Sequence, residues 1–305
     1  MEFYISWSHS DPIYSNYFSN SNFLISPANV NANFNMTDWK KNPEHVLIDS
    51  SAYYYLSHNK KLPTQKEIFK KQINLINTIK CPVSICHLDN PINNDNQSQA
   101  KIYSRIERTL SNAYEFTYLF SKYNLNQNNK INKLGVIQGT NKLSIEFCAN
   151  ELKKMGFEKF GLGSLAQLYN PNEIISRIKI ASEIVGGENL HIFGISRIDI
   201  IEKLNNLNVK SLDSTRPIMA AIYKGVFYSD PFKTYGIKAA NNSSRYAQVL
   251  DEPLNCNCPV CQSNPNLILK LGSYRYKHAR AIHNYYHLIK HLNKNNKIKV
   301  ISQYN

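Results

Sequence analysis

Short apolar runs recur through the first two thirds of the chain, each ending in a polar or glycine-containing tip. "FYISWS" (3–8), "FLISPA" (23–28), "HVLIDSS" (45–51), "CPVSICHLD" (81–89), "KLGVIQG" (133–139), "KFGLGSL" (159–165), "LHIFGIS" (190–196) and "VKSLDS" (209–214) have the length and composition of buried strands. Between several of them the apolar spacing becomes helical, over 63–80, 142–157 and 171–186. Strand–helix alternation predicts a parallel sheet. Eight candidate strands predict an α/β fold of the closed (β/α)8 TIM-barrel type, whose working residues sit at the C-terminal ends of strands. A doubly wound open sheet is the alternative, but no GxGxxG phosphate loop supports it. Asn-rich stretches at 90–99, 124–133 and 293–299 read as loops or ends.

With 305 residues, 42% hydrophobic and 19% charged, the chain can bury a sizeable core and carry a small appendage. The expected division is a barrel over 1–245 and a small subdomain, carrying the cysteine-rich segment and a basic C-terminal helix, over 246–305. No apolar run approaches the roughly 18–20 residues that span a bilayer. The N-terminus "MEFYISWSHSDP" has no basic n-region. Neither a membrane nor a secretory route is expected, and a reducing cytoplasmic setting disfavours disulfides among the six cysteines.

Charge narrows the partner. Lys and Arg number 36 against 22 Asp and Glu, a surplus of +14. From Pro253 to Asn305 there is no acid, while Lys270, Arg275, Lys277, Arg280, Lys290, Lys294, Lys297 and Lys299 are basic. Tyr274, Tyr276, Tyr285 and Tyr286 are interleaved with them. Basic residues among aromatics suit phosphate contact and base stacking, so a nucleic acid is the expected partner; a solvated basic helix face is the plainer reading.

The same region holds a candidate metal site. Cys256, Cys258 and Cys261 form C-x-C-x-x-C, followed by His278, His283, His287 and His291. Three thiolates and one imidazole make a common tetrahedral zinc set that leaves no position for water, so the site is structural. A reactive thiol pair is the alternative.

Three aspartates, Asp49, Asp89 and Asp213, stand at strand tips. Singly each could cap a helix or pair with a cation. Together at one face of a barrel they suggest a carboxylate-lined pocket. A carboxylate pair can break an N-glycosidic bond, one attacking C1′ while the other handles protons.

The cysteine pattern followed by His283-Asn284 resembles the zinc subdomain of the tRNA-guanine transglycosylase superfamily. "LIDSSAYYY" (47–55) resembles its D-S-G-G-[FY] segment, "HLDNP" (87–91) its base-recognition aspartate strand, and "GVIQG" (135–139) its G-[IV]-x-Q-G. "GFEKFGLGSL" (156–165), "HIFGIS" (191–196) and "SLDSTRP" (211–217) resemble the later motifs, in the family's order. The likeness runs from about residue 38 to the C-terminus.

The resemblance implies specific roles. His283 is the fourth zinc ligand, with His287 as fallback. Asp213 is the nucleophile at C1′ and forms a covalent intermediate with the nucleic acid as guanine leaves. Asp49 is the general base that deprotonates the incoming free 7-deazaguanine. Asp89 and Gln138 read the base edge with Gly163, Ser164, Leu165 and Gly194, and Tyr53 and Phe193 sandwich the ring. Apart from the resemblance, charge and position make Arg216, Arg275, Lys277 and Arg280 the expected contacts to the nucleic acid. Oligomeric state is left open, a homodimer included.

Ser51, Ala52 and Ser164 replace family glycines, and the motifs are closely spaced for a chain shorter than the usual tRNA enzymes. These features resemble the compact branch that inserts 7-deazaguanines such as 7-cyano-7-deazaguanine into DNA, so DNA is favoured over tRNA. A non-catalytic nucleic-acid-binding subunit that keeps the zinc, and a hydrolase that only removes bases, are the competing readings.

Overall fold

The computed structural model describes residues 1–31, 34–92, 97–195, 197–240, 245–293 and 300–304. Eight parallel strands close into a barrel in sequence order: β1 (Glu2–Trp7), β2 (Asn22–Ile25), β3 (His45–Ile48), β4 (Val83–Cys86), β5 (Ile131–Ile137), β6 (Lys159–Leu162), β7 (Leu190–Ile192) and β8 (Ser211–Ser214). Closure is made by β1 against β8, with Tyr4 opposite Asp213. Each strand coincides with one of the eight apolar runs, and the expected TIM barrel is present.

Helices α1 (Ala52–Ser57) and α2 (Gln65–Ile76) follow β3; α3 (Gln99–Lys122), α4 (Lys142–Lys154), α5 (Pro171–Val185) and α6 (Ile198–Leu204) follow the next four strands. They pack in succession, α2 on α3, α3 on α4, α4 on α5 and α5 on α6. The outward strand residues Ile5, Phe23, Val46, Ile48, Ile85, Ile137, Leu162, Ile192 and Leu212 are fully buried, each worth about 1.5–3 kcal/mol of burial. After β1 and β2 come 3-10 turns at Tyr14–Asn16 and Met36–Asp38 in place of long helices.

The 24-residue α3 is the longest helix and is not among the three expected ones. Its buried stripe, Ile102, Ile106, Leu110, Ala113 and Phe116, has helical spacing. Exposed Tyr114 and Tyr118 break that contrast in the sequence. Of the Asn-rich stretches, 124–128 form a turn, whereas Ile131 already opens β5. Residues 93–96 and 294–299 lie outside the described residues, among them Lys294, Lys297 and Lys299.

Inside the barrel the period of two builds layers. Tyr4 and His45 meet near the N-terminal end, where Tyr4 Oη lies 3.1 Å from His45 Nδ1. Tyr4, Leu24 and Leu47 form an apolar layer with Phe193, which also packs on Cys86, Leu134 and Val136. Two residues beyond that layer on their strands stand Ser6, Ser26, Asp49 and Gln138. Asp49 and Asp213 therefore sit at the C-terminal mouth because they continue inward-facing rows, while Asp89 lies in the loop three residues past Cys86, where β4 ends.

The chain falls into two compact units. The barrel unit comprises Met1–His9, Asn22–Asp38 and His45–Ser214; the other comprises Ser10–Ser21, Trp39–Glu44 and Thr215–Asn305. The second unit holds α7 (Arg216–Ile222), a three-stranded sheet of β9 (Gly225–Ser229), β10 (Phe232–Ile237) and β11 (Val249–Leu250), then α8 (Pro259–Ser263) and α9 (Tyr274–Leu292). Position 245/246 lies between β10 and β11, within that sheet. Helix α9 packs on α7 and β9. Among the described residues no helix is long and apolar enough to cross a membrane.

Candidate active site and metal centre

Asp213 ends the inward row of β8 and is 5% exposed. Ser6 Oγ donates to its Oδ2 at 2.5 Å, and Gly194 N donates to Oδ1 at 2.9 Å. Gly194 makes that approach from the left-handed region (φ +67°). His191 Nε2 lies 3.2 Å from the same Oδ1, and its Nδ1 lies 2.8 Å from Ser211 Oγ. A carboxylate accepts only, so in the neutral ring Nε2 carries the proton and Nδ1 accepts from the serine hydroxyl. Oδ1 thus receives two hydrogen bonds and Oδ2 one, which fixes the carboxylate and leaves Oδ2 the freer oxygen.

Asp49 follows β3. Ser26 Oγ donates to its Oδ2 at 2.5 Å, and Ser51 N donates to Oδ1 at 2.8 Å. Burial pushes its carboxyl up to about 7, against the pull of those two hydrogen bonds, and the charges of Asp213 and Asp89 add to the rise. Such a group changes protonation near neutral pH, as a proton-transfer residue requires.

Asp89 lies after β4 and is also raised, by burial above all, while Ser50 and Gln138 pull it back. Ser50 Oγ donates to Oδ1 at 2.8 Å and Gln138 Nε2 to Oδ2 at 2.7 Å. Ser164 Oγ donates in turn to Gln138 Oε1. A Cβ at Gly163 would collide with Gln138 Nε2, which explains the glycine there. Ser51 and Ser164, the serines at family glycine positions, both have φ +59°. The left-handed backbone survives the replacements, and both hydroxyls are used: Ser51 Oγ accepts from Ala28 N at 3.0 Å, and Ser164 Oγ from Ile92 N at 2.8 Å.

The remaining expected residues are less gathered. Leu165 is buried core. Tyr53, in the first turn of α1, has 54% of its surface exposed, and the Phe193 ring lies inside the barrel over Gly161, where a Cβ would strike it. Ser6, Ser26, Ser50, His191 and Ser211 carry the hydrogen bonds of the site and are absent from the expected set. For Ser6, Ser26, His191 and Ser211 only a place on an inward row could have marked them; Ser50 directly follows Asp49, off that row.

In the second unit Cys256, Cys258, Cys261 and His283 bring their ligand atoms within 4.8 Å of one another. His283 Nδ1 lies 3.6, 3.3 and 3.5 Å from the three sulfurs in that order. A tetrahedral zinc with Zn–S of about 2.3 Å and Zn–N of about 2.0–2.1 Å sets such edges at about 3.6 Å. His283 Nε2 donates to Phe227 O at 2.8 Å, which turns the Nδ1 lone pair to the sulfurs. Asn284 accepts from Phe227 N at 2.8 Å and donates to Gly225 O at 3.0 Å, tying the helix to β9. His287 lies outside this group of four, and its Nδ1 accepts from Ser229 N at 3.1 Å.

The basic segment divides. Arg275 is exposed, while Lys277 Nζ lies over the Tyr274 ring at 3.8 Å. Arg216 opens α7 above the Phe227 ring at 5.5 Å. Arg280 does not face solvent: it is 1% exposed and donates to the carbonyls of Ala221 (3.2 Å), Ile268 (3.4 Å) and Lys270 (2.6 Å). Tyr285 is likewise core, 4.9 Å from the Tyr14 ring. Helical spacing turns both inward among basic neighbours that stay outside.

No curated protein matches the chain. A family model does: that of queuine tRNA-ribosyltransferase matches residues 32–297, nearly the whole chain from before β3 to beyond α9. With a closed eightfold barrel, carboxylates at its mouth and a Cys3His group that can hold a metal, the chain belongs to the queuine tRNA-ribosyltransferase family of guanine-exchanging glycosyltransferases.

Proposed function

We propose that the chain replaces guanine in DNA with a free 7-deazaguanine such as 7-cyano-7-deazaguanine, by two displacements at C1′. Asp213 Oδ2 attacks C1′ of a flipped-out nucleotide; the C1′–N9 bond breaks, and the departing guanine N9 takes a proton from solvent. Asp49 then takes the proton from the ring nitrogen of the incoming base, that nitrogen attacks C1′, and the C1′–Asp213 bond breaks. Configuration at the sugar is retained. The observation that carries this reading is the pairing of a carboxylate held by Ser6, Gly194 and His191 with a second, Asp49, raised to about 7.

Asp89 and Gln138 read the base edge, with Gly163, Ser164 and Leu165 beside them and Tyr53 and Phe193 as stacking rings. Arg216, Arg275 and Lys277 contact phosphates; the burial of Arg280 gives it a structural task instead. Zinc on Cys256, Cys258, Cys261 and His283 closes a four-ligand site, so the metal supports the fold and takes no part in the reaction. The barrel is the catalytic part in this division of labour.

DNA is favoured over tRNA by the close spacing of the motifs and by the serines at 51 and 164. The test is incubation with 7-cyano-7-deazaguanine and either polymer, followed by nucleoside analysis. Modified deoxynucleoside supports DNA as the substrate; incorporation into tRNA alone contradicts it.

A further inference from the structure

At the barrel mouth four side chains form a hydrogen-bond chain whose direction is set at both ends by backbone N–H groups. Ile92 N donates to Ser164 Oγ at 2.8 Å, so the one proton of that hydroxyl goes to Gln138 Oε1. At the other end Ala52 N donates to Ser50 Oγ at 3.2 Å, and Ser50 gives its proton to Asp89 Oδ1 at 2.8 Å. Gln138 Nε2 completes the chain on Asp89 Oδ2 at 2.7 Å. Both arms therefore end on Asp89 as acceptor. Turning the Gln138 amide over would break both its bonds and press Oε1 against a carboxylate oxygen. Gln138 and Ser50 are almost wholly buried, so water does not substitute easily for a lost partner.

Ser164 holds its place against a backbone preference. Its φ of +59° suits glycine, and a serine there is strained. The hydroxyl supplies what glycine lacks, the donor that locks the amide.

We infer that Ser164 is a specificity-determining residue which, by locking the Gln138 amide, restricts the pocket to bases presenting a ring N–H beside an oxo group. This deepens the proposed function and rests on its assignment of Asp89 and Gln138 to the base edge. A carboxylate has about four lone-pair directions, so two remain on Asp89 for the ring N–H and 2-amino group of a guanine-type base. A 6-amino purine turns a ring-nitrogen lone pair toward that carboxylate and an N–H where the oxo group belongs. With only the Asp89 bond left to hold it, the amide turns at lower cost and the site adapts more readily to the amino group; with both bonds in place, the mismatch stands.

Ser164→Gly tests this, since glycine fits the left-handed backbone and folding is not at issue. Equilibrium dialysis of the full chain against free guanine and free 2,6-diaminopurine measures the two affinities; both bases carry the 2-amino group. Wild type is expected to favour guanine by about a hundredfold or more, and Ser164→Gly to narrow that ratio about tenfold, mainly through tighter diaminopurine binding. An unchanged ratio in Ser164→Gly overturns the inference, as does a wild type that binds the two bases alike or binds neither. Because the readout is binding of free bases, failure of base exchange on a polymer counts against the proposed function separately.

Discussion

His191 Nε2 lies 3.2 Å from Asp213 Oδ1, and Ser211 holds the other side of the same imidazole at 2.8 Å. The ring is 3% exposed and can move little. It positions the carboxylate rather than meeting the substrate. His191→Phe keeps an aromatic ring and removes the donor; steady-state exchange of labelled guanine should show kcat down roughly tenfold to hundredfold with KM for the free base unchanged. His191→Gln, which keeps an N–H, should recover part of the loss. Full kcat in His191→Phe would show that Gly194 and Ser6 suffice.

Asp49 links pH to both stability and rate. Its carboxyl is raised in the fold, mainly by burial, from 3.8 to about 7. Its stabilising contribution is therefore complete below the unfolded value and is lost as pH rises through about 7. Asp49→Asn, neutral throughout, should melt above wild type at pH 8 by roughly 1–3 kcal/mol, the gap closing toward pH 4. In the proposed reaction the base works ionised, so activity should run the opposite way: wild-type turnover should fall on the acid side with a midpoint near the same pH, and Asp49→Asn should be inactive. Equal melting curves at both pH values would refute the raised carboxyl.

The metal group separates two histidines one turn apart. Purified protein should hold about one equivalent of zinc, lost in Cys258→Ser and His283→Ala and kept in His287→Ala. Metal analysis reads this directly. Loss of zinc in His287→Ala alone would reassign the fourth ligand.

Arg280 and Arg275 should fail differently. Arg280→Ala removes the guanidinium that donates to the Ile268, Lys270 and Ala221 carbonyls, the last of which still accepts from Lys224 N, and should cost roughly 2–4 kcal/mol of stability while leaving the salt dependence of nucleic-acid binding unchanged. Arg275→Ala should leave melting unchanged and lower the log–log salt slope by about 1. A changed slope in Arg280→Ala would mean that the side chain reaches phosphate after all.

The barrel was legible because each strand is a dense apolar run with its chemistry at the tip, and Asp49, Asp89, Asp213 and the cysteines stand out by type and spacing. The serines were not. Ser6 meets Asp213 across 207 residues of sequence, and only closure of β1 on β8 joins them. His191 reads as an ordinary polar residue until Ser211 and Asp213 flank it. Helix α3 was hidden by tyrosines on its wet face, and the inward turn of Arg280 by its basic neighbours. In each case tertiary packing assigns the role, and composition cannot.

In the proposed reaction Asp213 is the nucleophile at C1′, and every later step depends on it. Wild-type protein and Asp213→Ala are each incubated with guanine-containing DNA or tRNA and labelled guanine, and denatured samples are examined for a protein–nucleic-acid adduct. Wild type should exchange label and form the adduct; Asp213→Ala should do neither while still folding and binding nucleic acid. Exchange that persists in Asp213→Ala would contradict the covalent mechanism.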